Sequence, residues 1–101
     1  QWAAMTSTST TPDVDRAERT RGALQPPYAV ILYNDDTHAM DYVVAALVKS
    51  VPELSTEDAA RVMLEAHTTG RGIVIVCPLE RAELYRDRIH TFGLGVTVEQ
   101  G

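Results

Sequence analysis

Cysteine and long apolar runs are scarce in this chain of 101 residues. Its single cysteine, Cys77, excludes an internal disulfide framework and any zinc cluster held by several cysteines. No stretch reaches the roughly 18 consecutive apolar residues that a membrane span needs. The segment before Tyr28 also lacks the apolar run of a secretory signal. We therefore expect a soluble, cytoplasmic protein with no membrane partner.

Basic residues are few as well. There are 9 Lys and Arg against 14 Asp and Glu, which gives a formal net charge of -5, and Lys49 is the one lysine. A domain that binds nucleic acid usually presents a basic face to the phosphates. Nucleic acid is therefore not an expected partner, and an amine or another cationic group suits the charge better.

The composition changes at the Pro26-Pro27 pair. Before it lie a Ser/Thr run at residues 6–11, mixed charges and Gly22, a composition that cannot bury enough apolar surface to order itself. We expect residues 1–26 to be a disordered extension and residues 27–101 to form one core domain. Met5 is a natural initiator, so we expect residues 1–4 to be additions from cloning.

Residue spacing in the core predicts the element order β-α-α-β-α-β. Strands are expected at residues 28–33, 73–77 and 96–98, where β-branched and aromatic residues cluster. The first helix has apolar residues at helical spacing from Met40 to Val51, with Asp36 or Thr37 as its cap. The second runs from a capping Ser55 to Gly70, and the third begins at Pro78 and continues to residue 93.

These elements predict an α/β fold, more specifically an α+β two-layer sandwich. Three helices would pack on one face of a three-stranded antiparallel sheet. The other face would be solvated or covered by a partner.

A polar cluster, Asn34-Asp35-Asp36-Thr37-His38, lies between the first strand and the first helix. Asn and Asp are common in such turns because their side chains satisfy backbone donors. Alternatively, their oxygens form an acceptor-rich lip that suits an amine. A metal site at Asp36 and His38 is a third interpretation, but no histidine pair has the helical spacing of metal ligands.

His67 lies in the last turn of the second helix. A histidine there is favoured by the helix dipole, and a ligand-binding role is the alternative. A nucleophile-base pair with Cys77 is also conceivable. However, Cys77 ends an apolar strand and precedes Pro78, which favours a buried, inert thiol.

Met40, Val43, Met63 and Ala66 have the spacing of core residues. If their two helices are neighbours, these side chains form an apolar pocket beside the polar turn and His67. Such a site would fit an amine that carries a large apolar side chain.

Four motifs in register carry a resemblance to the ClpS family, adaptors that deliver N-degron substrates to a Clp AAA+ protease. The chain resembles the family over about residues 27–99, through Val30-Ile31-Leu32-Tyr33-Asn34-Asp35-Asp36, Met40-Asp41-Tyr42-Val43-Val44, Met63-Leu64-Glu65-Ala66-His67 and Gly70-Arg71-Gly72.

The resemblance implies that the protein is an adaptor and not an enzyme. Such an adaptor needs no cofactor or metal. It implies binding of N-terminal Leu, Phe, Tyr or Trp, with Asn34, Asp35 and His67 at the α-amino group and Asp36 shaping the lip. The side-chain pocket would be lined by Met40, Val43, Met63, Ala66 and Leu94, with Val96 as an alternative to Leu94. Met40 would exclude β-branched residues.

The resemblance also implies partners. Glu80 would contact the N-terminal domain of a ClpA or ClpC unfoldase, and residues 1–26 would engage its pore. We expect the adaptor to be a monomer.

The chain departs from the family pattern in its loop and third helix. Thr37-His38-Ala39 stands where the family usually has an aromatic or polar residue and then Thr-Pro. Ala66 replaces a pocket valine, and Tyr85 replaces a basic residue.

Two rival functions remain open on the residues alone. One is a small metal-dependent or hydrolytic enzyme that uses Asp35, Asp36, His38 and His67. The other is a protein-interaction domain without peptide recognition, similar in topology to the C-terminal domain of the ribosomal stalk protein.

Overall fold

A computed structural model describes residues 25–101. The elements are β1 Pro27–Tyr33, α1 Met40–Ser50, α2 Thr56–Thr69, β2 Arg71–Pro78, α3 Leu79–His90 and β3 Val96–Gln100. This is the predicted order, and the predicted two-layer fold class is confirmed. The predicted disordered extension lies outside the described residues, apart from Gln25 and Pro26.

The sheet has the strand order β2-β1-β3, and both pairings are antiparallel. Strand β1 lies in the centre, so Val30 pairs with Ile75 on one side and with Val98 on the other. The β1–β2 register shifts between Val30 and Ile31. Residues 29–32 are all buried, so β1 is covered on both faces, which explains the continuous apolar run that predicted it.

The core lies between the sheet and the helices. Each helix turns one apolar stripe inward, as amphipathic helices on a sheet must. The core side chains include Val30, Leu32, Leu47, Val62, Tyr85 and Ile89, each no more than 6% exposed. Burial of each such large apolar side chain stabilises the fold by roughly 1.5 to 3 kcal/mol.

The opposite face of the sheet carries an ion pair instead of a helix. Arg71 Nη2 donates to Glu99 Oε1 at 2.7 Å, which joins β2 to β3 across β1. Since Arg71 is opposite Tyr33 and Glu99 is opposite Ala29, the pair crosses at the level of Ile31. Ile31 is accordingly only 2% exposed.

The predicted helix ends agree with the structure where a single nearby residue determines the end. Ser55 Oγ accepts the backbone N–H of Asp58 at 3.0 Å, which confirms the predicted cap of α2. Gly70 ends that helix in the left-handed conformation, with φ 98°. Pro78 occupies the cap position of α3, which ends at His90.

The predicted cap of α1 is wrong. The capping residue is Ala39, which makes no side-chain hydrogen bond, rather than Asp36 or Thr37. The backbone N–H groups of Thr37 and His38 are bound instead by Asp35 Oδ1, so the chain turns before the helix begins. Among residues 25–101, no helix is long and apolar enough to span a bilayer.

Candidate ligand-binding cleft

A cleft of about 260 Å³ opens where β1 ends, between the following loop, the start of α1 and the last turns of α2. This volume lies just below the range of about 300 to 1,000 Å³ that is usual for pockets that hold drug-sized ligands. The residues that line it are Leu32, Tyr33, Asn34, Asp35, Asp36, His38, Ala39, Met40, Val43, Met63, Ala66 and His67. The structure thus brings together the four predicted amine-site residues and the four pocket residues on helices.

Two backbone contacts hold the halves of the cleft together. The N–H of Asn34 donates to the carbonyl of Gly70 at 3.0 Å, which ties the end of β1 to the end of α2. At Gly72 a β-carbon would lie 2.7 Å from the carbonyl oxygen of Val62. Glycine therefore lets α2 lie directly against β2, and this close approach places Met63 and His67 at the cleft.

The apolar side of the cleft comes from α1 and α2. Val43 and Ala66 are buried at 4% and 2% exposure, and Met63 is half-buried. Met40 is 48% exposed and begins α1. A flexible methionine at the mouth and small buried residues behind it suit an apolar side chain of moderate size.

The polar side is formed by the loop after β1. Asn34 Nδ2 donates to Asp36 Oδ1 at 3.2 Å, and this bond leaves the Asn34 side-chain oxygen as an acceptor. Both residues are exposed. Together with Asp35 they line one rim of the cleft with oxygens, the arrangement that an ammonium group needs.

Asp35 is held more tightly than its neighbours. Its Oδ1 accepts the N–H groups of Thr37 and His38 at 2.7 and 2.8 Å, and its Oδ2 lies 2.7 Å from Nδ1 of His38. Hydrogen bonds, first that from the His38 backbone, lower the pKa of Asp35 from 3.8 to about 2. Asp35 is therefore a carboxylate at any ordinary pH, and the cleft carries a fixed negative charge.

His67 projects from the last turn of α2 into the same cleft. Within residues 25–101 its ring makes no hydrogen bond, and the residue is exposed. A neutral imidazole there has a nitrogen available to accept from a ligand.

Leu94 and Val96 do not line the cleft, in contrast to what the resemblance implies. Leu94 is 1% exposed and Val96 is 5% exposed, and both belong to the core cluster. The loop after α3 thus packs Leu94 inward. Glu80 is exposed in the first turn of α3 and lies outside this cleft.

The enzyme interpretations find no support at the site. In the described part of the chain, no group of three or more His, Cys, Asp or Glu side chains could hold a metal ion. Cys77 is buried and lies outside the cleft lining, and burial raises the pKa of its thiol. A thiol of that kind is a poor nucleophile, and His67 lines the cleft whereas Cys77 does not, so the structure gives no support to a Cys77–His67 pair.

Sequence reasoning missed the contact between His38 and Asp35. It considered His38 as a metal ligand beside Asp36, whereas the ring binds Asp35. The sequence signal for this contact is that His38 follows Asp35 by three positions within one turn, a separation at which the His38 ring can fold back onto the Asp35 carboxylate.

The cleft thus has acceptors on one rim and an apolar wall behind them. The family model described as "ATP-dependent Clp protease adaptor protein ClpS" matches residues 23–97. The chain belongs to the ClpS family.

Curated ClpS proteins agree with this assignment. The chain is 42% identical over 80 residues to the ClpS adapter of Synechococcus elongatus, which covers 79% of this chain and 84% of that protein. It is 40% identical over 82 residues to the chloroplastic adapter CLPS1 of Chlamydomonas reinhardtii, covering 80% of this chain and 51% of that protein. The family is one of adaptors, so the expectation that this ClpS is not an enzyme is confirmed.

A solved structure shares the fold. Agrobacterium tumefaciens ClpS2 bound to L-phenylalaninamide superposes with a TM-score of 0.70 and 29% sequence identity. The match covers 75% of this chain and 98% of that one. This ClpS is therefore an adaptor of the Clp protease with the family architecture, and its cleft, lined by residues between Leu32 and His67, lies within the residues that the family model matches.

Proposed function

We propose that this ClpS binds the first residue of a polypeptide when that residue is Leu, Phe, Tyr or Trp. Asn34, Asp35, Asp36 and His67 hold the free α-amino group, and the apolar wall receives the side chain. The observation that carries the proposal is the cleft itself, in which a fixed carboxylate and an apolar surface share about 260 Å³. The related ClpS2 was solved with L-phenylalaninamide, which combines a free α-amine and a large apolar side chain.

The physical chemistry supports binding in the micromolar range. Burial of a Leu or Phe side chain contributes about 1.5 to 3 kcal/mol, and each hydrogen bond to the ammonium adds about 1.5 to 3 kcal/mol. Association costs at least about 4 kcal/mol. An internal residue offers one amide N–H in place of the ammonium, so acceptors would remain unpaired, and this difference distinguishes a chain end from a chain interior.

Side-chain selection follows from the apolar wall. Met40 stands at the mouth of the cleft, where it would exclude side chains that branch at Cβ. Ala66 is buried behind the mouth, where the family usually has valine, so the cleft has slightly more room for an aromatic ring. Val43 and Met63 supply the remaining apolar contacts.

Delivery uses surfaces outside the cleft. Glu80, exposed on α3, contacts the N-terminal domain of a ClpA or ClpC unfoldase, and residues 1–26 form the extension that engages its pore. Residues 27–101 are the binding domain, which acts as a cytoplasmic monomer. Because the cleft and Glu80 lie on different parts of the surface, substrate and unfoldase can be bound together.

Removal of residues 1–24 separates the two activities. The truncated protein should bind a Phe-initiated peptide as the full chain does, but it should no longer promote degradation of a Leu-initiated substrate by the Clp protease. Continued degradation after truncation would show that the extension has no role in delivery. Loss of peptide binding would show that the extension belongs to the binding domain.

A further inference from the structure

The contacts of Asp35 explain how its carboxylate is oriented. A carboxylate has about four lone-pair sites on two oxygens. Oδ1 is occupied by the N–H groups of Thr37 and His38, and Oδ2 is bound by the His38 ring. The unoccupied acceptor capacity is therefore on Oδ2, the oxygen whose position the His38 ring sets.

The direction of this hydrogen bond is fixed by charge. Asp35 is ionised, because its pKa is about 2, and an ionised carboxylate can only accept. His38 Nδ1 must therefore carry the hydrogen and donate it to Oδ2 at 2.7 Å. The backbone bonds to Oδ1 already limit rotation of the carboxylate about Cβ–Cγ, and the His38 ring fixes the second oxygen, so that the plane is held at both ends.

The His38 ring is itself held by contacts that reach α1 and the turn after α3. It stacks on Tyr42, with ring centroids 4.9 Å apart and 13° between the planes. The Tyr42 hydroxyl donates to the carbonyl of Phe92 at 2.8 Å. The next residue, Gly93, has φ 82°, and a β-carbon there would lie 3.5 Å from His38 Nε2. The stacking on an anchored Tyr42 restricts the ring on one face, and Gly93 lies close to its Nε2 edge, so the ring can act as a support for Asp35.

We propose that His38 is a positioning residue of the amine site, which holds the Asp35 carboxylate in the plane that the α-ammonium of the first residue requires. The proposal rests on the proposed function and deepens it. His38 also lines the cleft, but in this role it acts through Asp35. Its effect should therefore fall on recognition of the amine and leave recognition of the side chain unchanged.

The test compares two peptides that differ in the amine alone. One begins with phenylalanine, and the other begins with 3-phenylpropionyl, which has the same ring and no amino group. The ratio of their dissociation constants measures recognition of the amine. A third peptide, which begins with alanine, measures recognition of the side chain when it is compared with the Phe peptide.

Four variants give the comparison its controls. His38→Asn retains an amide N–H at the place of Nδ1, whereas His38→Gln moves it out to the place of Nε2 and His38→Ala removes it. His90→Ala removes an exposed histidine of α3 that lies outside the cleft. Thermal unfolding of each variant verifies that the binding measurements are made on folded protein.

We expect His38→Ala and His38→Gln to lower the ratio of the dissociation constants of the 3-phenylpropionyl and Phe peptides about tenfold. A change of this size corresponds to the loss of one charge-assisted hydrogen bond. His38→Asn and His90→Ala should stay within about threefold of the wild type, and the Phe to Ala ratio should be unchanged throughout. Equal amine discrimination in all four variants and the wild type would overturn the role of His38. If the wild type itself fails to discriminate, the proposed function fails instead, so the two failures are distinguishable.

Discussion

The close approach of α2 to β2 at Gly72 makes a strong prediction, because the steric conflict involves backbone. In Gly72→Ala the new β-carbon would lie 2.7 Å from the Val62 carbonyl oxygen and 3.2 Å from the Ala66 nitrogen. No side-chain rotation can relieve either contact. Helix α2 must therefore move away from the sheet by several tenths of an ångström.

The energetic cost can be bounded. Overpacking of this kind costs about 1 to 3 kcal/mol, and the smaller conformational freedom of alanine in the unfolded chain returns about 0.4 to 1 kcal/mol. A net loss of about 1 to 2 kcal/mol lowers the Tm of a domain of this size by roughly 5 to 15 °C. Since α2 carries Met63 and His67, affinity for a Phe-initiated peptide should fall as well.

Gly95→Ala is the matched control. Its β-carbon would lie 3.7 Å from Tyr33 Cβ, an ordinary contact, so the Tm should change little. Both variants are measured by thermal unfolding followed by circular dichroism, and then by peptide titration. A Tm for Gly72→Ala within about 2 °C of the Gly95→Ala value would refute the argument from close approach.

Three further predictions concern charged groups. The folded-state pKa of Asp35 is about 2, below its ordinary 3.8, so its stabilising contribution of at most about 2 kcal/mol is present above pH 4 and is lost as the pH falls through about 2. The free energy of unfolding in urea should therefore be larger for the wild type than for Asp35→Asn at about pH 5, and the two values should converge near pH 2. A difference that stays constant with pH would argue against the ionised carboxylate. His67→Ala should bind a Phe peptide more weakly than the wild type, because the variant removes an acceptor for the ammonium from the cleft. Unchanged affinity would argue against a contact between His67 and the ammonium. Glu80→Lys should reduce unfoldase binding while peptide affinity stays constant, and Glu57→Lys on α2 is its control.

Local signals predicted the fold well. The Ser55 cap, the left-handed Gly70 and the apolar spacing of the helices each depend on residues within a few positions, and the structure has them as expected. The predicted cap of α1 was wrong because Asp35, two positions before Thr37, accepts the backbone N–H groups of Thr37 and His38 and forms a turn ahead of the helix. Strand β3 extends to Gln100, beyond its predicted end, since pairing with β1 decides its length and that pairing is not local.

The candidate site was predictable in its members but not in its geometry. Asn34, Met40 and His67 could be named from their motifs, and the structure brings them to one cleft. The packing of Leu94 into the core, however, depends on the whole domain, as does the contact of Gly72 with α2. The ring of His38 binds Asp35 because Tyr42 and the turn after α3 hold it there, and no short motif encodes that arrangement.

Titration of short peptides that differ only in their first residue tests the central claim most directly. Peptides that begin with Leu, Phe, Tyr or Trp should bind with micromolar dissociation constants, and those that begin with Val, Ile or Ala should bind far more weakly. N-acetylation of the Phe peptide should abolish its binding. Equal affinity for the free and acetylated Phe peptides, or no binding of any peptide, would contradict recognition of the N-terminal residue and leave this ClpS as an interaction domain alone.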